Sequence, residues 1–143
     1  MASKRKILKT SLPENKDFVL YGIVSSANDY RIAWLLNNTL NIELKKTDDL
    51  DVEIKKLNET CYYTRYSTET DDSNIGLISN KDSNSIKLFK MEFDYLLKIS
   101  SNYNKLNNIK DNLNQINEII LSSEIIPNTK NNISIIEKTG LYL

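Results

Sequence analysis

The first sustained apolar run is Phe18-Val-Leu-Tyr-Gly-Ile-Val24, rich in β-branched and aromatic side chains and flanked by polar residues. A run this short and this continuous predicts a buried central strand, because a strand covered on both faces needs no polar alternation. Beyond it the period changes. Ile32, Leu35, Leu36 and Leu40 recur at helical spacing, and Ala33 and Trp34 widen the stripe, so an amphipathic helix is predicted over about 28–41. Ser25, Ser26 and Asn28 stand just before it, with side-chain oxygens suited to the free amides of a helix start. The acidic segment Thr47 to Glu53 reads as a surface connection.

The middle of the chain is strand-like. Thr60-Cys-Tyr-Tyr-Thr-Arg-Tyr66 and Ile75 to Ser79 are rich in strand formers, and Phe93, Tyr95, Leu97 and Ile99 alternate with polar residues, Leu96 excepted. Polar turns at Ser67–Asn74 and Asn80–Asn84 separate these runs, which predicts an antiparallel meander. From Asn102 the helical period returns through Leu106, Ile109, Leu113 and Ile116. Ile119-Ile-Leu121 and Ile125-Ile126 then give a last strand, which Pro127 stops.

The resulting order, β-α-β-β-β-α-β, predicts an α/β fold of the α+β type. The economical packing is a two-layer, ferredoxin-like sandwich, with an antiparallel sheet and both helices on one face. The organisation expected is a flexible basic arm over 1–16, a single domain over 17–127 and a tail over 128–143. The tail ends in Leu141, Tyr142 and Leu143, too apolar to leave in water, so it is expected to dock on the domain or on a partner.

Composition narrows the chemistry. The chain has 143 residues, no histidine and one cysteine, so the commonest general base and transition-metal ligand is missing. Cys61 alone builds neither a zinc site nor an internal disulfide, and as a nucleophile it lacks a histidine partner. No catalytic residue, metal ligand or cofactor-binding residue is therefore assigned. Asp48, Asp49, Asp51 and Glu53 lack the spacing and turn glycine of an EF-hand and read as a solvated acidic face. Nineteen basic residues balance nineteen acidic ones, which argues against a dedicated nucleic-acid binder. No apolar run reaches the length of a bilayer span, and the basic start MASKRKILKT is not followed by a signal-peptide core. A cytoplasmic location is the expectation.

Some residues still invite a partner. The Gly22–Asn28 junction has one glycine where phosphate loops need several, so helix capping is its simpler role. Asp29, Tyr30 and Arg31 open the first helix, and Trp34, the sole tryptophan, is either core or an interface anchor. Tyr62, Tyr63 and Tyr66 with Arg65 resemble the aromatic and basic sheet of single-stranded RNA binders, which Lys4, Arg5 and Lys6 would supplement. Strand packing is the simpler role for those tyrosines.

Four stretches in order carry a family resemblance: Asn28-Asp-Tyr-Arg-Ile-Ala-Trp-Leu-Leu-Asn37, Thr47-Asp-Asp-Leu50, Leu77-Ile-Ser-Asn-Lys81 and Phe93-Asp-Tyr95. Together they resemble the bacterial IPExxxVDY family, small cytoplasmic proteins of unknown function. The Asp94-Tyr95 half of the eponymous motif is present, whereas Lys87-Leu88-Phe89 stands where the IPE half would fall. The resemblance implies a compact bacterial cytoplasmic domain and supplies no reaction.

The reading that follows is a non-catalytic binding or adaptor protein acting through protein–protein contacts or self-association. Its candidate contact residues are Asp29, Tyr30, Arg31, Trp34, Asp94, Tyr95, Leu141, Tyr142 and Leu143. A small-ligand regulatory domain, dimeric and ferredoxin-like, is one alternative. An RNA-binding accessory protein using Lys4, Arg5, Lys6, Tyr62 and Arg65 is another.

Overall fold

A computed structural model of the chain describes residues 18–68, 74–100 and 108–143. The basic arm with Lys4, Arg5 and Lys6 lies outside them. The described residues form eight strands: β1 (Phe18–Val24), β2 (Lys45–Lys46), β3 (Leu50–Ile54), β4 (Glu59–Tyr63), β5 (Arg65–Ser67), β6 (Ile75–Ser79), β7 (Tyr95–Ser100) and β8 (Leu121–Glu124). Three helices accompany them: α1 (Asp29–Leu40), α2 (Ile109–Asn114) and α3 (Lys130–Tyr142).

Six strands make one antiparallel sheet in the order β2-β5-β6-β7-β1-β8, while β3 and β4 form a separate hairpin. The apolar run of β1 lies between β7 and β8, pairing Phe18 with Ser100 and Tyr21 with Glu124. Both of its faces are covered, which is why it shows no polar alternation. Tyr21 and Ile23 join one core with Leu97 and Ile99 of β7, and Leu20 joins the other with Leu96. Leu96 breaks the period-two pattern for the same reason: it faces a second core and not water.

On the first face α1 and α2 pack together. Ile32, Ala33, Leu36 and Leu40 of α1 meet Ile109 and Leu113 of α2 over Tyr66, Ile75 and Leu77. The second face is covered as well, by Cys61 and Tyr63 of the hairpin, Phe89, and Ile135 and Ile136 of α3. Segment 128–143 is thus largely helix and packs on its own sheet. Thr129 caps α3, its hydroxyl accepting the Asn132 amide at 3.1 Å.

The α+β sandwich with an antiparallel sheet and α1 and α2 on one face is the expected class. Its connectivity is more elaborate than β-α-β-β-β-α-β. In a ferredoxin-like unit a single strand separates the two strands joined by a helix. Here β1 and β2, joined by α1, have β7, β6 and β5 between them. The acidic segment also holds a strand, β3, whose Leu50, Val52 and Ile54 turn inward while Asp51 and Glu53 face water. The predicted strand 60–66 divides at Thr64, so Tyr63 enters the second core and Tyr66 the first. Among the described residues no helix is long and apolar enough to cross a membrane.

Candidate interaction site

The turn from β1 into α1 is laced to the sheet by side chains from β5 and from β7 and its start. The Asp94 carboxylate accepts the Ser25 amide at 2.9 Å and pairs with Lys81 Nζ at 3.2 Å. The Tyr95 hydroxyl donates to the Ala27 carbonyl, and the Tyr66 hydroxyl donates to Asp29 Oδ2 at 2.8 Å. Ser25 Oγ donates to the Glu118 carbonyl at 2.6 Å and accepts the Ala27 amide at 3.1 Å. Burial, then the carboxylates of Asp29 and Asp94, push the Tyr95 hydroxyl up to about 12. Asp94 and Tyr95 therefore point inward and set the turn. Asp29 is spent in the same way. Ser25 serves the turn and not a helix cap, and Asn28, which occupies the N-cap position, makes no side-chain capping bond.

An open cleft of about 380 Å³ lies between this turn and the 79–85 segment. Several of its polar walls already have partners within the protein. Asp94 is engaged as described, and Asp82 Oδ1 accepts the amides of Asn84 and Ile86 at 2.9 and 2.8 Å. Among the described residues no set of three or more Cys, Asp and Glu side chains is placed to hold a metal ion.

The outer face of α1 is different. Tyr30 is 65% exposed and Trp34 54%, although both sit on a helix whose other face is core. Arg31 joins them. Its guanidinium lies 5.1 Å from the Trp34 ring centre and donates to Glu118 Oε2 at 2.8 Å. That hydrogen bond holds the Glu118 carboxyl below the usual carboxylate range. Residues at i, i+1 and i+4 share this side of the helix, so Tyr30, Arg31 and Trp34 form one surface, with Glu118 at its rim.

The remaining candidates do not join that surface. Leu141 is 84% exposed on α3, but Tyr142 and Leu143 pack against the domain itself, Leu143 lying over Gly76. Tyr62 is exposed, whereas Tyr63 and Tyr66 are buried on opposite faces, so no row of rings is presented there. Arg65 donates to the carbonyls of Asp48 and Tyr142 at 2.9 and 2.8 Å and ties the end of α3 to the sheet. Cys61 is buried; burial first, then Asp82, pushes its thiol up, which disfavours the reactive thiolate.

Two residues that sequence reasoning passed over matter here. Glu118 sits in a stretch whose apolar neighbours drew the strand reading, and only the fold brings it to Arg31, 87 positions away. Asn80 is fully buried, and its side chain bonds the Phe89 amide and the carbonyls of Phe89 and Phe93. A turn signal was its only mark in the sequence. Comparison with family models and with curated proteins returned no match.

Proposed function

We propose that this chain is a non-catalytic binding or adaptor protein that meets a protein partner through the outer face of α1. The exposed Tyr30–Arg31–Trp34 surface carries this reading. Tyrosine, arginine and tryptophan are the side chains most enriched where binding energy concentrates in interfaces. Arg31 is already held between the Trp34 ring and Glu118, so ordering it on association costs less than ordering a free arginine. The chemistry of the face asks for a partner with an apolar socket for Trp34, flanked by hydrogen-bonding groups for Tyr30 and Arg31. The absence of histidine in the sequence and the burial of Cys61 support the non-catalytic half of the reading.

The test is recovery of a partner by the full-length chain from gently lysed native cells, compared with Trp34→Ala and Tyr30→Ala. Both side chains are exposed, so their removal is expected to change stability by no more than about 0.5 kcal/mol. Recovery of a specific partner is expected to fall at least tenfold. Equal recovery by the variants, or recovery of the wild-type chain only in free form, overturns the proposal.

A further inference from the structure

We infer that Glu118 gives the α1 surface its selectivity: it neutralises Arg31, so the surface takes an uncharged hydrogen-bonding group beside Trp34 and turns an anion away. This rests on α1 being the contact face, and it names the chemistry of the partner there. The partner segment carries an apolar side chain for Trp34 with backbone carbonyls or amides around it, and no carboxylate or phosphate.

An arginine beside a tryptophan on an exposed helix face ordinarily attracts acids, because the guanidinium fork matches a carboxylate or phosphate. Here an acid of the same chain already holds it. Arg31 Nη2 donates to Glu118 Oε2 at 2.8 Å, and the guanidinium lies 5.1 Å from the Trp34 ring centre. Asp29, the nearest acid along α1, is spent elsewhere, accepting the Tyr66 hydroxyl at 2.8 Å. Among the described residues Glu118 is therefore the acid paired with Arg31.

Surface ion pairs commonly contribute little, since two long side chains must be ordered to form one. At this pair one end is fixed in advance. The Glu118 carbonyl accepts Ser25 Oγ at 2.6 Å. Its neighbour Ile119 is buried and donates its amide to the Ile116 carbonyl at 3.1 Å, and the next amide, of Ile120, bonds the Val24 carbonyl at 2.8 Å. The carboxylate is thus presented from an anchored backbone. It lines an open depression of about 380 Å³ together with Ser26, Asn28, Tyr30 and Arg31. An incoming carboxylate must displace Glu118 or lie beside it, and like charges at that range repel. A neutral carbonyl meets no such opposition. It finds the remaining guanidinium N–H groups and the Tyr30 hydroxyl, whose oxygen already accepts the Asn28 side-chain amide at 3.1 Å and whose proton is left to donate.

Trp34 is the sole tryptophan of the chain, so its fluorescence reads this surface alone. The experiment compares quenching of the full-length chain by iodide, an anion, and by acrylamide, a neutral amide, at low ionic strength. Glu118→Gln removes the charge, keeps the shape and leaves Arg31 positive beside the ring. It is expected to raise the iodide quenching constant about twofold and to leave the acrylamide constant unchanged, the rise disappearing in concentrated sodium chloride. Arg31→Gln is expected to lower the iodide constant, because Glu118 is then uncompensated, and the double variant to return to the wild-type value. Glu137→Gln, an exposed acid on α3 at the other face of the sheet, is expected to change neither constant. The Arg31 and Glu118 side chains are 47% and 35% exposed, so circular dichroism is expected to be unchanged throughout. Should Glu118→Gln fail to fold, Arg31→Gln carries the test alone. No rise in Glu118→Gln, a rise shared by acrylamide, an equal rise in Glu137→Gln, or an Arg31→Gln chain quenched by iodide as the wild type is, overturns the assignment. Each of these leaves the α1 reading to its own test, recovery of a partner by Trp34→Ala and Tyr30→Ala, so the two fail separately.

Discussion

Tyr95 spends its hydroxyl on the Ala27 carbonyl, and that bond has a pH signature. Burial and the nearby carboxylates favour the neutral phenol in the folded state, raising it from the ordinary 10.0 to about 12. Its contribution to stability is therefore complete below pH 10 and is lost as pH rises through about 12. Tyr66, raised by burial and by its bond to Asp29, adds in the same direction. Tyr95→Phe is expected to cost about 1 kcal/mol at neutral pH and to flatten the alkaline loss, as read by denaturant unfolding at stepped pH. An unchanged alkaline slope in the variant would place the pH dependence elsewhere. Asparagine shows where residue-scale reading stops. Its abundance reads as compositional bias, yet Asn41 and Asn58 take left-handed backbone at φ 56° and 53°, and Asn80 organises a buried network. Asparagine tolerates that backbone better than most residues, but nothing in a single sequence tells which asparagine uses it.

At the scale of elements, β1 depends on a missing side chain. A Cβ built on Gly22 would lie 2.3–2.6 Å from atoms of the Phe93 ring, which fills the space above the strand. Gly22→Ala is expected to destabilise by about 1–3 kcal/mol through overpacking, and Phe93→Leu in the same chain to restore part of that loss. Additive losses in the double variant would show that the two positions do not compete for space. The elements legible beforehand were those with one strong signal: a continuous apolar run in β1, the helical period in α1, strand formers in β6 and alternation in β7. The strand β3 was not, because Asp48, Asp49, Asp51 and Glu53 drew attention to charge while Leu50, Val52 and Ile54 already alternated with it. The division between β4 and β5 left no mark either. It follows from Thr64, whose carbonyl accepts the Ser79 amide at 3.0 Å as the chain leaves the hairpin for the main sheet. Of the candidate site, Tyr30, Arg31 and Trp34 were legible as residue types. That they face water follows from α1 burying its opposite side, which a stripe widened by Ala33 and Trp34 does not announce.

At the largest scale the described residues form a main sheet covered on both faces, and α3 supplies much of the second cover. Ile136 is buried there at 3% exposure, while Leu141 on the same helix is at 84%. Ile136→Ala is expected to cost about 2–5 kcal/mol in chemical denaturation, and Leu141→Ala almost nothing. Similar losses for both would mean that α3 is covered on more than one side. The sandwich class was legible from the order of periods along the chain, but the second covered face was not, because the apolar residues of the tail announced docking without saying which face they would cover. The placement of β1 has a further consequence, in time. Its neighbours in the sheet are β7 and β8, so Phe18 waits for Ser100 and Tyr21 for Glu124. Both pairings close long loops, whose entropy must be lost before any ladder bond repays it. During synthesis β1 is made before the other described strands, so it stays unpaired until β7 follows and keeps one open edge until β8 follows.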